Sequence, residues 1–267
     1  MTSKFFRYTI GFLLFFLILA SFYFSKIALF FISVFFIIIA MSEYRQMFKQ
    51  KEIDVIQILP EFIGIFVSSI FIFIDDIKEH LFITPIIVLG IITTFIITII
   101  RNKKPYLLTS FSTIIAFLLI FCGLYIIKLT YYFEGYHAWH LILIYFIAVL
   151  AGDFVASKVG PKFNKKIAPE ISPNKTIGGA IANLVTSCVI CLSLTYLVDF
   201  SILKCLIWGS LISITAQFGD LAISTFKRDI GIKHSGTLFL NYGGVLDRMD
   251  AFIFSAPVAY YCLCFFS

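Results

Sequence analysis

Charge is what this sequence has least of: Asp, Glu, Lys and Arg make up 13% of its 267 residues, where a soluble domain carries about a quarter. With 60% apolar residues and a mean hydropathy of +1.00, a soluble globular domain is excluded. Disorder is excluded as well, because it requires low hydrophobicity. Several catalytic signatures are also missing. There is no Walker loop, no GxGxxG, no GxSxG and no HExxH, so the usual nucleotide cradles, the hydrolase elbow and the zincin site are set aside. The six cysteines, Cys122, Cys188, Cys191, Cys205, Cys262 and Cys264, all lie in apolar runs. Cys188 and Cys191 form a CxxC without the second pair that a metal site needs, so these thiols read as packing residues. The net charge of +6 does not indicate a nucleic-acid partner, because the bases are scattered between apolar runs instead of gathered on one polar face.

What the chain does have is length in apolar runs, with 33 Phe among them. A hydrocarbon layer of roughly 30 Å takes about 20 apolar residues to cross. On that measure the sequence is all-α, a polytopic integral membrane protein with about nine transmembrane helices, at roughly 5–24, 27–41, 58–74, 81–100, 107–127, 139–157, 177–198, 202–222 and 245–266. Lys4 and Arg7 before the run 10–24 imitate a signal peptide, but no small-residue cleavage site follows, so the segment reads as an uncleaved first span. With the N-terminus cytoplasmic and the C-terminus outside, only Lys26, Lys78, Lys128 and Lys204 fall outside, and the other 17 of the 21 Lys and Arg fall inside. That asymmetry is the one cytoplasmic loops show.

The two halves differ. Residues 1–140 read as a transmembrane scaffold in which nothing has the spacing of a site. Residues 141–267 read as a catalytic region: they hold ten of the 15 glycines and the two longest cytoplasmic connections, about 158–176 and 223–244. The stretch 217–250 brings Asp220, Asp247 and Asp250 to span ends, with Lys227, Arg228, Lys233 and Arg248 nearby and a Gly243–Gly244 pair. Carboxylates suit hard cations such as Mg²⁺, and the bases suit phosphate. Paired interfacial charges are the plainer alternative for the same residues. Upstream, Asp153 closes an apolar run, where an acid needs a partner. Lys158, Lys162, Lys165 and Lys166 follow it and are largely explained by topology. In the SPNKT run, Ser172, Pro173, Lys175 and Thr176 read as a turn before a helix start, a place suited to an anion. His80, His137, His140 and His234 have no metal spacing.

These residues resemble a known family. Ser224-Thr-Phe-Lys227-Arg228, Gly231-Ile-Lys233, Ser235-Gly236 and Gly243-Gly244-Val-Leu-Asp247-Arg248-Met-Asp250 are similar to the C-terminal signature of the phosphatidate cytidylyltransferases, the CDP-diacylglycerol synthases. Gly219-Asp220-Leu221 resembles the aspartate before that signature. Asp153 with Ala156 and Gly160, then Ala168-Pro169 and Ser172-Pro173-x-Lys175-Thr176, resemble the family's other cytoplasmic motif. The resemblance covers about 153–250. There are four departures: Ile223 replaces an acid, His234 an aspartate, Tyr242 a histidine, and Ile177-Gly178-Gly179 stand where the family has Trp-Glu-Gly.

The resemblance implies the reaction of CTP with phosphatidic acid to give CDP-diacylglycerol and pyrophosphate, with Mg²⁺ and room for a second, monovalent cation. It implies catalytic roles for Asp220, Lys227, Arg228, Lys233, Asp247 and Arg248. Substrate contacts fall to Asp153, Ser172, Pro173, Lys175, Thr176, Ser235, Gly243 and Gly244, and metal ligation to Asp220, Asp247 and Asp250. Partners are then CTP, phosphatidic acid and the bilayer, with no nucleic acid and a homodimer left open. The setting is the bacterial inner membrane, with the site facing the cytoplasm. The alternatives are a CTP-dependent kinase of lipid alcohols, of the dolichol or phytol type, and a transporter, against which stands the lack of an internal repeat.

Overall fold

The computed structural model describes residues 26–56, 58–73, 79–101, 105–131, 138–197, 200–236 and 243–266. In chain order the helices are α1 (Lys26–Lys49), α2 (Ile58–Phe73), α3 (Glu79–Arg101), α4 (Tyr106–Tyr131), α5 (Ala138–Val159), α6 (Ile177–Cys191), the single turn α7 (Leu194–Leu197), α8 (Ile202–Ile230) and α9 (Leu246–Phe266). Between α5 and α6 a hairpin pairs β1 (Lys166–Ala168) with β2 (Ser172–Thr176), antiparallel, with Lys166 opposite Thr176. Among the described residues six helical segments are long and apolar enough to cross a membrane, and Ile58–Ile70 and Pro85–Arg101 are shorter apolar helices. Each expected span from 27–41 onward overlaps a helix in its described residues, 177–198 being divided between α6 and α7, while the first, 5–24, lies outside the described residues.

Two boundaries differ from the sequence reading. The segment 223–230, expected as loop, continues α8 without a break, so Ser224, Lys227 and Arg228 are helical. Nothing in 223–230 is Gly or Pro, and Gly231, at φ +87°, is the residue that ends the helix. The SPNKT run is a strand and not a turn. Its proline is tolerated because a two-stranded ribbon leaves one edge unpaired.

The chain forms two compact units. The first comprises residues 1–127 and 230–248, the second residues 128–229 and 249–267. In the first, small residues let helices approach. A Cβ on Gly64 would stand 2.5 Å from Ile120, and one on Gly90 would stand 3.0 Å from the Phe117 ring. Polar cross-links tie α1 and the connection after it to α4: Tyr44 donates to the Ser112 carbonyl (3.1 Å) and the Ile56 amide to Thr113 Oγ1 (3.1 Å). Asp54 meets Arg101 at 3.1 Å and Arg45 at 4.0 Å, which brings the C-terminal ends of α1 and α3 together.

In the second unit, α6 turns small and polar residues inward and β-branched apolar ones outward. Along α6 the buried line is Gly179, Asn183, Ser187 and Cys191, and the exposed line is Ile181, Val185 and Val189. Gly152 on α5 and Gly209 on α8 press against that small, polar face. Their Cβ atoms would lie 2.7 Å from Asn183 Oδ1 and 2.9 Å from the Cys188 Cα. Trp208 donates to the Ala259 carbonyl (2.9 Å), and the Tyr145 hydroxyl meets Ser255 (2.8 Å), fastening α9.

Candidate active site

The acids and bases of the second unit are brought together by three elements. The hairpin delivers Lys175, whose Nζ is 2.6 Å from Asp220 Oδ2 on α8, with both side chains partly exposed. One turn on, Ser224 donates to Asp220 Oδ1 (3.3 Å). At the end of α8, Arg228 Nε donates to the Ile171 carbonyl at the hairpin's turn (3.0 Å). The SPNKT run and the Gly219–Asp220 motif, distant in sequence, are therefore one structure. Lys227, 7% exposed, and Asp250, 6% exposed, lie among them: the charges acting on Asp250 are Asp220, Lys227 and Asp153. Gly219 allows this approach, since its Cβ would stand 2.5 Å from the Asp250 carbonyl.

Asp153 is held from below by a residue the sequence did not single out. Asn183 Nδ2 donates to Asp153 Oδ1 (2.9 Å), and Asn183 Oδ1 accepts from Ser213 (2.7 Å). Gln217 donates to Ser213 Oγ (3.0 Å) and extends the chain along α8. A polar asparagine buried in an apolar helix was the available signal. Thr176 is committed to the fold: it accepts from the Gly179 amide as the N-cap of α6 (3.2 Å) and donates to the Gly160 carbonyl (2.9 Å). Ser172 and Pro173 lie on the same strand, with Pro173 exposed.

The first unit carries the rest of the signature. Asp247, in the first turn of α9, accepts from the amides of Ser235 (2.8 Å) and Gly244 (3.2 Å), and His234 Nδ1 is 3.8 Å from the same oxygen. Lys233 and His234 are exposed, and the Arg248 amide closes the helix start on the Val245 carbonyl (2.9 Å). Gly243 has φ +89°, a conformation that excludes other side chains, and any Cβ there would strike the Asp247 carboxylate.

The chief omission of the sequence reading is Glu43. It lies in the half taken as scaffold, is 5% exposed, and accepts from the amides of Val245 (2.9 Å) and Leu246 (2.9 Å) and from the Ser235 hydroxyl (3.3 Å). An acid at the end of an apolar run was the signal, as it was for Asp153. Among the described residues no group of three His, Cys, Asp or Glu stands ready-made as a metal cluster.

Two departures have a local cause. The Phe163 ring lies over Gly178, where a larger side chain would collide with it, and Ile223 is fully buried on α8. Tyr242 lies outside the described residues.

The sequence also has known relatives. The model of the cytidylyltransferase family matches residues 5–266. The chain belongs to that family. Among its relatives are the phosphatidate cytidylyltransferases of Staphylococcus aureus (strain COL) and Staphylococcus haemolyticus, each 41% identical over 122 residues, 45% of this chain and 47% of theirs. An Escherichia coli protein, the uncharacterized protein YnbB, is 36% identical over 124 residues, 45% of this chain and 42% of its own. The chain thus spans about half the length of the relatives it matches.

Proposed function

We propose that the protein transfers the cytidylyl group of CTP to phosphatidic acid, releasing pyrophosphate and forming CDP-diacylglycerol, at the cytoplasmic face of a bacterial inner membrane. The observation that carries this reading is the meeting of Lys175 with Asp220 beside Lys227 and Asp250, in a chain of the cytidylyltransferase family. A phosphate oxygen of the lipid attacks the α-phosphorus of CTP, the bond from that phosphorus to the β-phosphate oxygen breaks, and pyrophosphate leaves. The attacking phosphate is already an anion, so no general base is needed. Alignment and charge stabilisation supply most of the acceleration.

The donor set fits Mg²⁺. Asp220 and Asp250 offer hard carboxylate oxygens, and Asp250 is buried where Asp220 and Asp153 act on it and Lys227 is the cation acting on it. These two would hold the ion, which when bound offsets phosphate charge. Lys175, Lys227 and Arg228 are the cations this unit offers to the phosphates, and Lys175 would exchange Asp220 for substrate. On the strength of the signature, Lys233, Asp247 and Arg248 serve the same reaction.

The test is incubation of detergent-purified protein with Mg²⁺, phosphatidic acid and CTP labelled in the cytidine, beside an Asp220→Asn control. Label in the lipid phase with wild type alone is expected. Label confined to water, in protein shown to be folded, would overturn the proposal.

A further inference from the structure

Helix starts are normally capped from within, by Ser, Thr, Asp or Asn at the cap position. At the start of α9 that position is Val245, whose side chain has no acceptor. Its cap comes instead from Glu43 on α1, 202 residues away: Oε1 takes the Val245 amide and Oε2 the Leu246 amide. A carboxylate suits the positive end of a helix, yet an acid in a membrane helix is costly unless its oxygens are occupied.

The same carboxylate reaches the other end of the connection. Ser235 gives its hydroxyl to Glu43 and its amide to Asp247, so one residue bridges two acids. The glycines flanking this point are shaped around Glu43. A Cβ on Gly236 would stand 2.8 Å from its carboxylate, and one on Gly244 would overlap it outright. Gly244 does not have a positive φ, so the space it leaves, and not its backbone freedom, is what the site uses.

We propose that Glu43 is a positioning residue for Asp247, holding Ser235–Gly236 and Gly243–Leu246 together so that Asp247 stands in its working orientation. Ser235 and Gly244, expected to touch substrate, then act through Glu43. The consequence for catalysis rests on the function proposed above; the clasp itself does not.

The experiment compares wild type with Glu43→Gln, Gly244→Ala and the double variant Glu43→Asp/Gly244→Ala, in detergent. Glutamine keeps the volume but turns an N–H₂ toward an amide donor. The expected result is a fall in kcat per folded protein of about tenfold or more for Glu43→Gln and for Gly244→Ala, with KM for CTP held within about twofold, as for a displaced catalytic group. In the double variant the shorter acid makes room for the added methyl. It should recover at least about threefold in kcat over Gly244→Ala and show a higher thermal midpoint than the separately measured Glu43→Asp and Gly244→Ala shifts add up to. A kcat for folded Glu43→Gln within about twofold of wild type would overturn the positioning role. If Glu43→Gln does not fold, a double variant no better than Gly244→Ala overturns it instead. A wild type that moves no cytidylyl group to phosphatidic acid would sink the proposed function, while additive midpoint shifts would still sink the clasp on their own.

Discussion

Four acids, two in the first unit and two in the second, are placed by opposite means. In the first, Asp247 and Glu43 are held by backbone amides at a helix start, and glycines leave the room they occupy. In the second, Asp153 and Asp220 are held by side chains, Asn183 and Lys175, on other elements. An amide-held acid is sensitive to volume, because a backbone cannot be moved without moving the helix. A side-chain-held acid is sensitive to charge and hydrogen bonding, because its partner can swing away. The first design suits a fixed orientation, and the second, on the function proposed above, suits an ion pair that opens for a phosphate.

The largest effect should come from charge in the second unit. Asp250→Asn keeps the shape of a buried side chain and removes its negative charge, so cytidylyl transfer should fall at least ~100-fold with the protein still folded, measured as label entering lipid. Activity within about twofold of wild type would take Asp250 out of the site.

The next effect separates stability from chemistry. Asn183→Leu removes a donor to Asp153 and an acceptor for Ser213, and the loss of such a buried pair costs about 1–3 kcal/mol. Its thermal midpoint in detergent should fall by several degrees. An unchanged midpoint would mean that water replaces Asn183 and that Asp153 is not held by it.

A smaller effect is expected at the ion pair. Lys175 and Asp220 keep 25% and 33% of their side-chain surface exposed, so the pair itself contributes only ~0–1 kcal/mol to stability. Lys175→Ala should leave the midpoint nearly unmoved and raise KM for CTP or lipid several-fold. An unchanged KM would return that lysine to topology. The smallest effect belongs to Asp54→Asn in the first unit. Its partners Arg45 and Arg101 are more than two-fifths exposed, and neither midpoint nor turnover should change measurably. A clear loss of turnover there would break the view that the first unit acts through Glu43.

The residues that could be read without a structure were those whose surroundings in sequence were already anomalous. Asp153, Asp220 and Asp247 stand at the ends of apolar runs, where an ionised group must be explained, and the glycine pair beside Asp247 announced a tight approach. The helices from 27–41 onward were legible because apolar length is a one-dimensional property. Helix ends were less so: α8 continues through Lys227 and Arg228 because charge at a membrane surface does not stop a helix, whereas Gly231 does. Glu43 was hidden for another reason. Its partner Ser235 is 192 residues away, and its neighbours Arg45 and Lys49 made the segment look like an ordinary basic flank. Asn183 was hidden by its apolar helix, since only packing shows which face of α6 looks inward.

The most direct test follows both products of one reaction. CTP carrying distinct labels in the cytidine and in the γ-phosphate is mixed with purified protein, Mg²⁺ and phosphatidic acid, and lipid and water phases are sampled together. Cytidine label entering lipid in step with γ-labelled pyrophosphate in water is the expected result. Cytidine label remaining in water as CDP while the γ-phosphate moves to a lipid would contradict cytidylyl transfer and identify a lipid kinase instead.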